Sequence, residues 1–338
     1  MTEDGTLPKV ALGRTGMMVT RVGFGAWAVG GGDWAYGWGE QDDADSIRAI
    51  RHAVDRGVNW IDTAAVYGLG HSEEVVARAL ADLPADARPF VFTKCGLVWD
   101  EDDPSAPPRR VGDPRSIRRE IEASLRRLGV ERIDLYQMHW PPEDGTPIED
   151  YWGTLLELKA EGKARAVGLS NHDAAQLERA EALGHVDTLQ PPFSAIEREA
   201  AAAELPWCAE HGTGVIVYSP MQSGLLTGAF TEARAAQLDE SDWRSGHPDF
   251  TGDGLRRNLA LAQALRPVAA RHGTTVAAIA VAWTLAWRGV TAAIVGARRP
   301  DQVDGWLPAA SVELTPQDLD EIAAAIRRTG AGSGPVRP

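Results

Sequence analysis

Residues 58–68 read VNWIDTAAVYG and carry the pattern that decides the fold: a short apolar run ends at a polar residue, Asp62, and Tyr67 follows in the next loop. The pattern returns in FVFTKCG (90–96), which contains Lys94, and in DLYQMHWP (134–141), which contains His139. Strands of a parallel sheet bring the side chains at their C-terminal ends to one rim. These segments therefore predict one active site on neighbouring parallel strands.

Short β-prone runs alternate with longer amphipathic stretches from about residue 19 to about residue 300. The eight candidate strands are VTRVGFG (19–25), VNWIDTA (58–64), PFVFTKC (89–95), RIDLYQMH (132–139), ARAVGLS (164–170), VDTLQ (186–190), TGVIVYS (213–219) and VTAAIVG (290–296). Eight strands alternating with helices predict an α/β protein with a (β/α)8 TIM barrel. No linker divides the chain, so we expect one domain over residues 1–338.

Helix boundaries are marked by capping residues. Asp113 and Pro114 open one helix and Gly129 closes it, while Thr315 and Pro316 open an additional C-terminal helix beyond the last strand. In HSEEVVARALAD we expect Ser72 to be the N-cap. Two polar stretches, 100–112 and 230–254, follow strands and are expected on the active-site rim.

Charge and composition exclude several classes of function. The net charge of −14 argues against a nucleic-acid partner, which needs a basic face. No apolar stretch reaches the ~18 residues of a membrane span, and the acidic start lacks a secretory signal, so we expect a cytoplasmic protein. Cys95 and Cys208 are predicted to be core thiols. The eight histidines form no i, i+4 pair on a helix, so we expect no metal site and not a metal-dependent hydrolase.

The polar residues at the strand ends suit proton transfer to a carbonyl. Tyrosine has a pKa near ~10, so a tyrosine that donates a proton needs a cation close by, and Lys94 can supply it. A lysine held there by burial needs a carboxylate partner, for which Asp62 is placed. His139 can hydrogen-bond a substrate oxygen beside Tyr67. We call Asp62, Tyr67, Lys94 and His139 the tetrad.

The segment GFGAWA (23–28) fits the G-x-G-x-x-[GA] dinucleotide fingerprint only superficially. Glycines and a tryptophan follow it where that motif requires a helix, so a Rossmann domain is not predicted. In the barrel interpretation, Gly25 and Trp27 end the first strand at the mouth of the site.

The motifs DTAAVYG, TKCG, MHWP, GLSN, QPPFS, YSPMQSGLLTG and GARRPDQ occur in the order typical of the aldo-keto reductase superfamily, which the chain resembles over nearly its whole length. The resemblance implies the barrel fold, reduction of an aldehyde or ketone by a nicotinamide cofactor, and the tetrad as catalytic residues. By the same resemblance, the cofactor-binding residues are Gly25, Trp27, Asp62, Ser170, Asn171, Gln190, Tyr218, Ser219, Pro220, Met221, Ser223, Gly224, Leu225, Gly296, Arg298 and Gln302.

The preferred cofactor depends on the segment after the eighth strand. Arg298 or Arg299 can bind a 2′-phosphate through charge-assisted hydrogen bonds, so we predict NADPH over NADH. Many family members hold the adenine amine with Glu-Asn a few residues on, and here Gly305 and Trp306 stand at those positions. The adenine contact is therefore expected to differ.

The substrate pocket is expected to be aromatic. Its candidate lining residues are Trp27, Trp34, Trp38, Trp99, Trp140 and Phe193, whereas Trp60, Trp283 and Trp287 are expected to pack the barrel. The alternative function is a cofactor-binding sensor that resembles potassium-channel β-subunits and has little turnover. The sequence leaves the substrate, the direction of the reaction and the oligomeric state open.

Overall fold

The computed structural model describes residues 6–32, 34–37, 39–239 and 242–338; Trp38 lies outside the described residues. Eight parallel strands close into a barrel in the order β10-β11-β12-β3-β4-β5-β8-β9, and two short antiparallel hairpins accompany it. The strands are β1 (Lys9–Ala11), β2 (Met18–Thr20), β3 (Val22–Gly25), β4 (Trp60–Asp62), β5 (Phe90–Cys95), β6 (Leu97–Val98), β7 (Arg109–Arg110), β8 (Ile133–Met138), β9 (Ala164–Ser170), β10 (Thr188–Gln190), β11 (Gly214–Val217) and β12 (Ala292–Gly296). The predicted barrel is confirmed.

Helices surround the barrel. The α-helices are α1 (Asp43–Asp55), α2 (His71–Leu80), α3 (Pro114–Leu128), α4 (Ile148–Ala160), α5 (Ala174–Glu181), α6 (Glu204–His211), α7 (Glu232–Ala235), α8 (Gly252–Ala264), α9 (Arg266–Arg271), α10 (Val276–Leu285), α11 (Pro300–Trp306) and α12 (Pro316–Thr329). Among the described residues, none of the helices has the length and apolar character that crossing a membrane would take.

The core has two parts. Inside the barrel, the fully buried Trp60 and Phe92 rings pack with centroids 5.3 Å apart, and the indole N–H of Trp60 donates to the Thr20 carbonyl. A Cβ at Gly23 would lie 2.2 Å from the Trp60 ring, so this strand position needs a glycine. A larger cluster fills the space between the barrel and the helices. Tryptophan at position 60 thus fills the barrel as predicted.

The first predicted strand is in fact two strands. Residues 19–25 divide at Arg21, where β2 pairs with β1 in a hairpin and β3 enters the barrel. Leu12, Met17 and Val19 from this hairpin pack with the side chains inside the barrel. The hairpin therefore closes the end of the barrel opposite the rim that carries the tetrad.

The helix caps follow the sequence with one exception. The Asp113 carboxylate accepts the Ser116 N–H, Gly129 ends α3 at φ 65°, and Thr315 forms a capping box with Asp318. The prediction that Ser72 caps α2 is wrong. The helix begins one residue earlier, and the Ser72 hydroxyl instead bonds the Ala26 carbonyl at 2.8 Å, because the start of the helix packs against the end of β3.

Candidate active site

The tetrad comes together on three neighbouring strands. Asp62 ends β4, Lys94 is the penultimate residue of β5, and His139 directly follows β8. Since β4 pairs with β5 and β5 with β8, all in parallel, their C-terminal ends meet at one rim. Tyr67 begins the short 3-10 turn Tyr67–Gly70 that leads from β4 into α2.

Lys94 is the centre of this group. Its Nζ donates to Oδ1 of Asp62 at 2.5 Å, to the Thr63 carbonyl at 2.8 Å and to the Tyr67 hydroxyl at 3.4 Å. The side chain is 1% exposed, so all three donors of the ammonium are used within the protein. This geometry gives a buried cation in direct contact with the phenol.

Burial sets the protonation of the tetrad. It raises the pKa of Asp62 and lowers that of Lys94, and in each case the charge of the partner opposes the shift. Burial, followed by the Asp62 charge, raises the pKa of Tyr67 well above its usual value. Tyr67 therefore carries its proton at neutral pH, as a proton donor must.

His139 is neutral in this setting. Burial, followed by the charges of Lys94 and Arg110, lowers its pKa well below the usual value. Its ring meets the Tyr67 ring edge-on with centroids 5.6 Å apart. Within the described residues, the two ring nitrogens make no hydrogen bond, so one N–H is free to donate to a substrate oxygen beside Tyr67.

A second group of polar residues borders the tetrad. Asn171, at φ 62°, donates to the His139 carbonyl at 2.9 Å and accepts the Tyr218 hydroxyl at 2.8 Å. The amide of Gln190 donates to Oδ2 of Asp62 at 2.9 Å, and the Ser170 hydroxyl donates to the Gln190 carbonyl. The residues expected to hold a nicotinamide carboxamide therefore form one network with the tetrad.

The loop after β11 has the backbone of an anion site. Ser219, Gln222 and Ser223 have φ values of 54°, 45° and 50°, and Gly224 has 104°. Non-glycine residues adopt this region at a cost, and successive N–H groups in such turns form anion-binding concavities. The Ser219 and Ser223 hydroxyls make no hydrogen bond with the rest of the described chain. These residues fit a pyrophosphate.

The other residues of this loop and its neighbours that are predicted to contact the cofactor differ in solvent exposure. Pro220 and Leu225 are buried, whereas Met221 is half-buried. Gly25 is buried at the end of β3, and Gly296, its partner across the sheet, is exposed.

Several arginines lie near Arg298, which follows β12. The backbone N–H of Arg298 bonds Oε1 of Gln302 at 2.7 Å, and its guanidinium bonds the Gln41 side chain. Burial lowers the pKa of Arg298, and the nearby charges of Arg299, Arg244 and Arg234 lower it further. Two of these arginines also have acidic partners, since Arg244 pairs with Asp242 and Arg299 with Asp301. Trp306 is 1% exposed and packs in the core, and the altered adenine contact stays a prediction.

Aromatic side chains surround Tyr67. The ring centroids of Trp34 and Trp27 lie 6.2 Å and 6.5 Å from that of Tyr67, and Trp99 packs in the same cluster. Trp140 is half-buried beside His139. Trp27, Trp34 and Trp99 therefore cluster with Tyr67, and their role as pocket lining stays a prediction.

The prediction that Phe193 lines the pocket is wrong. The side chain is fully buried and packs against Trp283 and Trp287, with centroids 6.0 Å and 5.4 Å away, on the helical side of the sheet. Residue 193 follows β10 by three positions, and its side chain turns away from the rim.

A cavity of about 400 Å³ opens beside Trp27, whose ring lies next to that of Tyr67. Trp27, Tyr218 and Trp243 line it, with the indoles of Trp27 and Trp243 stacked at a centroid distance of 6.5 Å. The size is typical of a small-molecule or cofactor site. Among the described residues, no group of three His, Cys, Asp or Glu side chains is arranged to hold a metal ion.

Sequence reasoning missed a buried glutamate behind the tetrad. Glu73 is fully buried, and it accepts the Thr93 hydroxyl and the Arg127 Nε, both at 2.6 Å. It thereby joins α2, which follows Tyr67, to the residue before Lys94. From the sequence, Glu73 looks like any acidic residue in the first turn of a helix; only its apolar neighbours Val75 and Val76 indicate a covered helix face.

Known proteins resemble this chain over nearly its whole length. A family model described as the aldo/keto reductase family matches residues 21–327. A protein of Escherichia coli (strain K12) named NADH-specific methylglyoxal reductase is 35% identical over 95% of this chain and 100% of its own length. An aldo-keto reductase of Bacillus subtilis (strain 168) is 34% identical over 96% of this chain and 94% of its own.

A solved structure has the same fold as this chain. The structure of a glycerol dehydrogenase from Gluconobacter oxydans superposes with a TM-score of 0.87, at 37% identity and with 98% of each chain covered.

Proposed function

The chain belongs to the aldo/keto reductase family, and on that premise we propose how this oxidoreductase reduces an aldehyde or ketone to an alcohol: Tyr67 is the proton donor, and the other tetrad residues prepare it and its substrate. The family supplies the reaction class, an NAD(P)H-dependent carbonyl reduction. The roles of the individual residues are the proposal.

The nicotinamide cofactor supplies the hydride. We expect Asn171, Gln190 and Tyr218 to fix its nicotinamide ring, the loop at Ser219 and Ser223 to bind the pyrophosphate, and Arg298 with Gln302 to bind the adenosine end. This chain's task is then to orient the carbonyl and to protonate its oxygen.

One observation carries the proposal: Lys94 touches both Asp62 and Tyr67 from a fully buried position. As negative charge develops on the substrate oxygen, the Tyr67 proton moves to it, and the Lys94 ammonium stabilises the phenolate that remains. The neutral His139 donates a hydrogen bond that places the same oxygen. Asp62 keeps the lysine charged and in position.

For the cofactor we propose NADPH over NADH. Support comes from the charges of Arg299, Arg244 and Arg234, which add to burial in lowering the pKa of Arg298, and a 2′-phosphate accepts charge-assisted hydrogen bonds from such guanidinium groups. The Escherichia coli relative named NADH-specific methylglyoxal reductase, which is 35% identical to this chain, instead argues for NADH. The two cofactors must therefore be compared directly.

The substrate is proposed to be a small oxygenated carbonyl compound or the corresponding alcohol. Methylglyoxal and glycerol, named in the relatives, are both three-carbon compounds with neighbouring oxygen atoms. The sensor alternative finds no support in the relatives described above. A cytoplasmic location remains a prediction.

The experiment is a steady-state assay in which the purified protein is given NADPH or NADH and a panel that includes methylglyoxal, glyceraldehyde and butanal. We expect carbonyl-dependent oxidation of NADPH. Cofactor binding without any turnover across the panel would instead favour the sensor.

A further inference from the structure

A hairpin places a cation beside the substrate pocket. The strands β6 and β7 pair in antiparallel register with Leu97 opposite Arg110, and Leu97 packs in the cluster around Tyr67 and Trp34. Neighbouring residues on a strand face opposite sides, so Arg109 points away from Arg110. Arg109 is exposed, whereas Arg110 is half-buried.

The guanidinium of Arg110 is held in one orientation and keeps free donors. It lies over the Trp140 ring at 4.5 Å, and its Nη1 donates to Glu143 at 2.6 Å. Its Nε and Nη2 make no hydrogen bond within the described residues. Stacking on an indole fixes the plane of a guanidinium and leaves its edge available to a ligand.

This cation lies near the reacting groups, because its partner across the hairpin, Leu97, packs in the cluster with Tyr67. Trp140 directly follows His139, and the Arg110 charge is among the causes of the lowered pKa of His139. A negative group on a carbonyl compound bound beside His139 is therefore attracted towards the hairpin.

We propose that Arg110 is a specificity-determining residue that binds a carboxylate or phosphate group of the carbonyl substrate. The proposal deepens the function proposed above and rests on it. Arginine binds such groups with two parallel hydrogen bonds. Glu143 competes for the guanidinium only weakly, since its side chain is 67% exposed and exposed ion pairs contribute little.

The test compares matched substrates. Succinic semialdehyde and its methyl ester differ only in the carboxylate charge and the added methyl group, and glyceraldehyde 3-phosphate and glyceraldehyde differ only in the phosphate. The variants are Arg110→Gln and, as the matched control from the same strand, Arg109→Gln. The first pair tests a carboxylate and the second a phosphate.

We expect Arg110→Gln to raise KM for at least one of the two anionic substrates about tenfold, while KM for its neutral partner stays within about twofold. Arg109→Gln should change neither. Glu143→Gln should lower KM for the same anion, because it removes the competing carboxylate; a structural role of Arg110 would not produce this effect.

Equal changes for charged and neutral substrates, or no change, would overturn the proposal. So would a wild-type enzyme that reduces the neutral compounds but neither anion. If the folded wild-type protein binds cofactor and reduces none of the four compounds or the neutral panel, the proposed function itself fails, and the two failures are thereby distinguished.

Discussion

The side-chain amide of Gln190 donates a 2.9 Å hydrogen bond to Oδ2 of Asp62, and Lys94 holds the other oxygen of the same carboxylate. The family resemblance implies that Gln190 binds the cofactor and that Asp62 takes part in proton transfer. The hydrogen bond connects these two roles. The Oε1 of Gln190 makes no hydrogen bond with the described residues and can therefore bind the nicotinamide carboxamide. A shift of the cofactor ring can thus act on the carboxylate that positions Lys94.

Replacing Gln190 should therefore affect both cofactor binding and turnover. We expect Gln190→Met to weaken cofactor binding and to lower kcat about tenfold, since Asp62 loses a buried hydrogen bond. Tyr218→Phe, which removes only the hydroxyl bond to Asn171, is the control and should alter binding more than kcat. Fluorescence titration and steady-state kinetics measure the two effects. A Gln190→Met enzyme with wild-type kcat at saturating cofactor would refute the coupling.

Removal of one partner of the buried Lys94–Asp62 ion pair should destabilise the folded protein. Lys94→Met leaves the Asp62 charge buried, and we expect the free energy of unfolding to fall by about 3–5 kcal/mol. Lys94→Met combined with Asp62→Asn should cost less than the sum of the single changes. Urea unfolding measures these values, with Arg48→Gln, which breaks an exposed pair with Asp45, as the control within about 1 kcal/mol. Additive losses would mean that the two side chains act independently.

His172 should make stability depend on pH. Its ring is buried between the Tyr151 hydroxyl and the Ser170 carbonyl, and burial lowers its pKa to about 4. In the unfolded chain the His172 imidazole takes up a proton near pH 6.5, and in the folded protein it does so only near pH 4. The stability that neutral His172 contributes is therefore complete above pH 6.5. It decreases as the pH falls towards 4, by about 3 kcal/mol in all.

We expect His172→Phe to lose less stability than the wild type between pH 6.5 and 4, as measured by denaturant unfolding at several pH values. Tyr151→Phe, which leaves the imidazole buried, should keep the wild-type slope. Identical slopes for His172→Phe and the wild type would contradict the assignment.

Arg298 should distinguish the two cofactors. We expect Arg298→Gln to raise KM for NADPH about tenfold and KM for NADH by no more than about twofold, because only NADPH carries the 2′-phosphate. NADH is the internal control for any movement of the Gln41 segment, to which Arg298 is bonded. A wild-type enzyme that binds NADH as tightly as NADPH, or more tightly, would exclude the NADPH preference.

The barrel and the tetrad could be predicted from the sequence because both depend on local patterns. Each strand is a β-prone run that ends in a polar residue, and the parallel order of strands brings these residues to one rim. The caps at Asp113 and Thr315 are equally local, and the structure confirms them. The prediction for Ser72 is wrong, because a serine next to a helix start has the same local signature whether it caps the helix or, as here, donates to the Ala26 carbonyl.

Contacts between distant elements could not be derived in this way. Phe193 follows β10 and looks like a rim residue, but it packs against Trp283 and Trp287 because α10 lies over that side of the sheet. Glu73 and Arg110 are ordinary charged residues in the sequence. Their importance comes from Arg127, Thr93 and Trp140, which only the fold brings to them.

The central claim, that Tyr67 protonates the carbonyl oxygen, is tested most directly by the turnover of Tyr67→Phe at saturating cofactor, with the cofactor Kd measured on the same protein. We predict that kcat falls by about 10²–10⁴-fold, as for the loss of a general acid, while Kd changes by less than about twofold. An unchanged kcat in Tyr67→Phe would contradict the account.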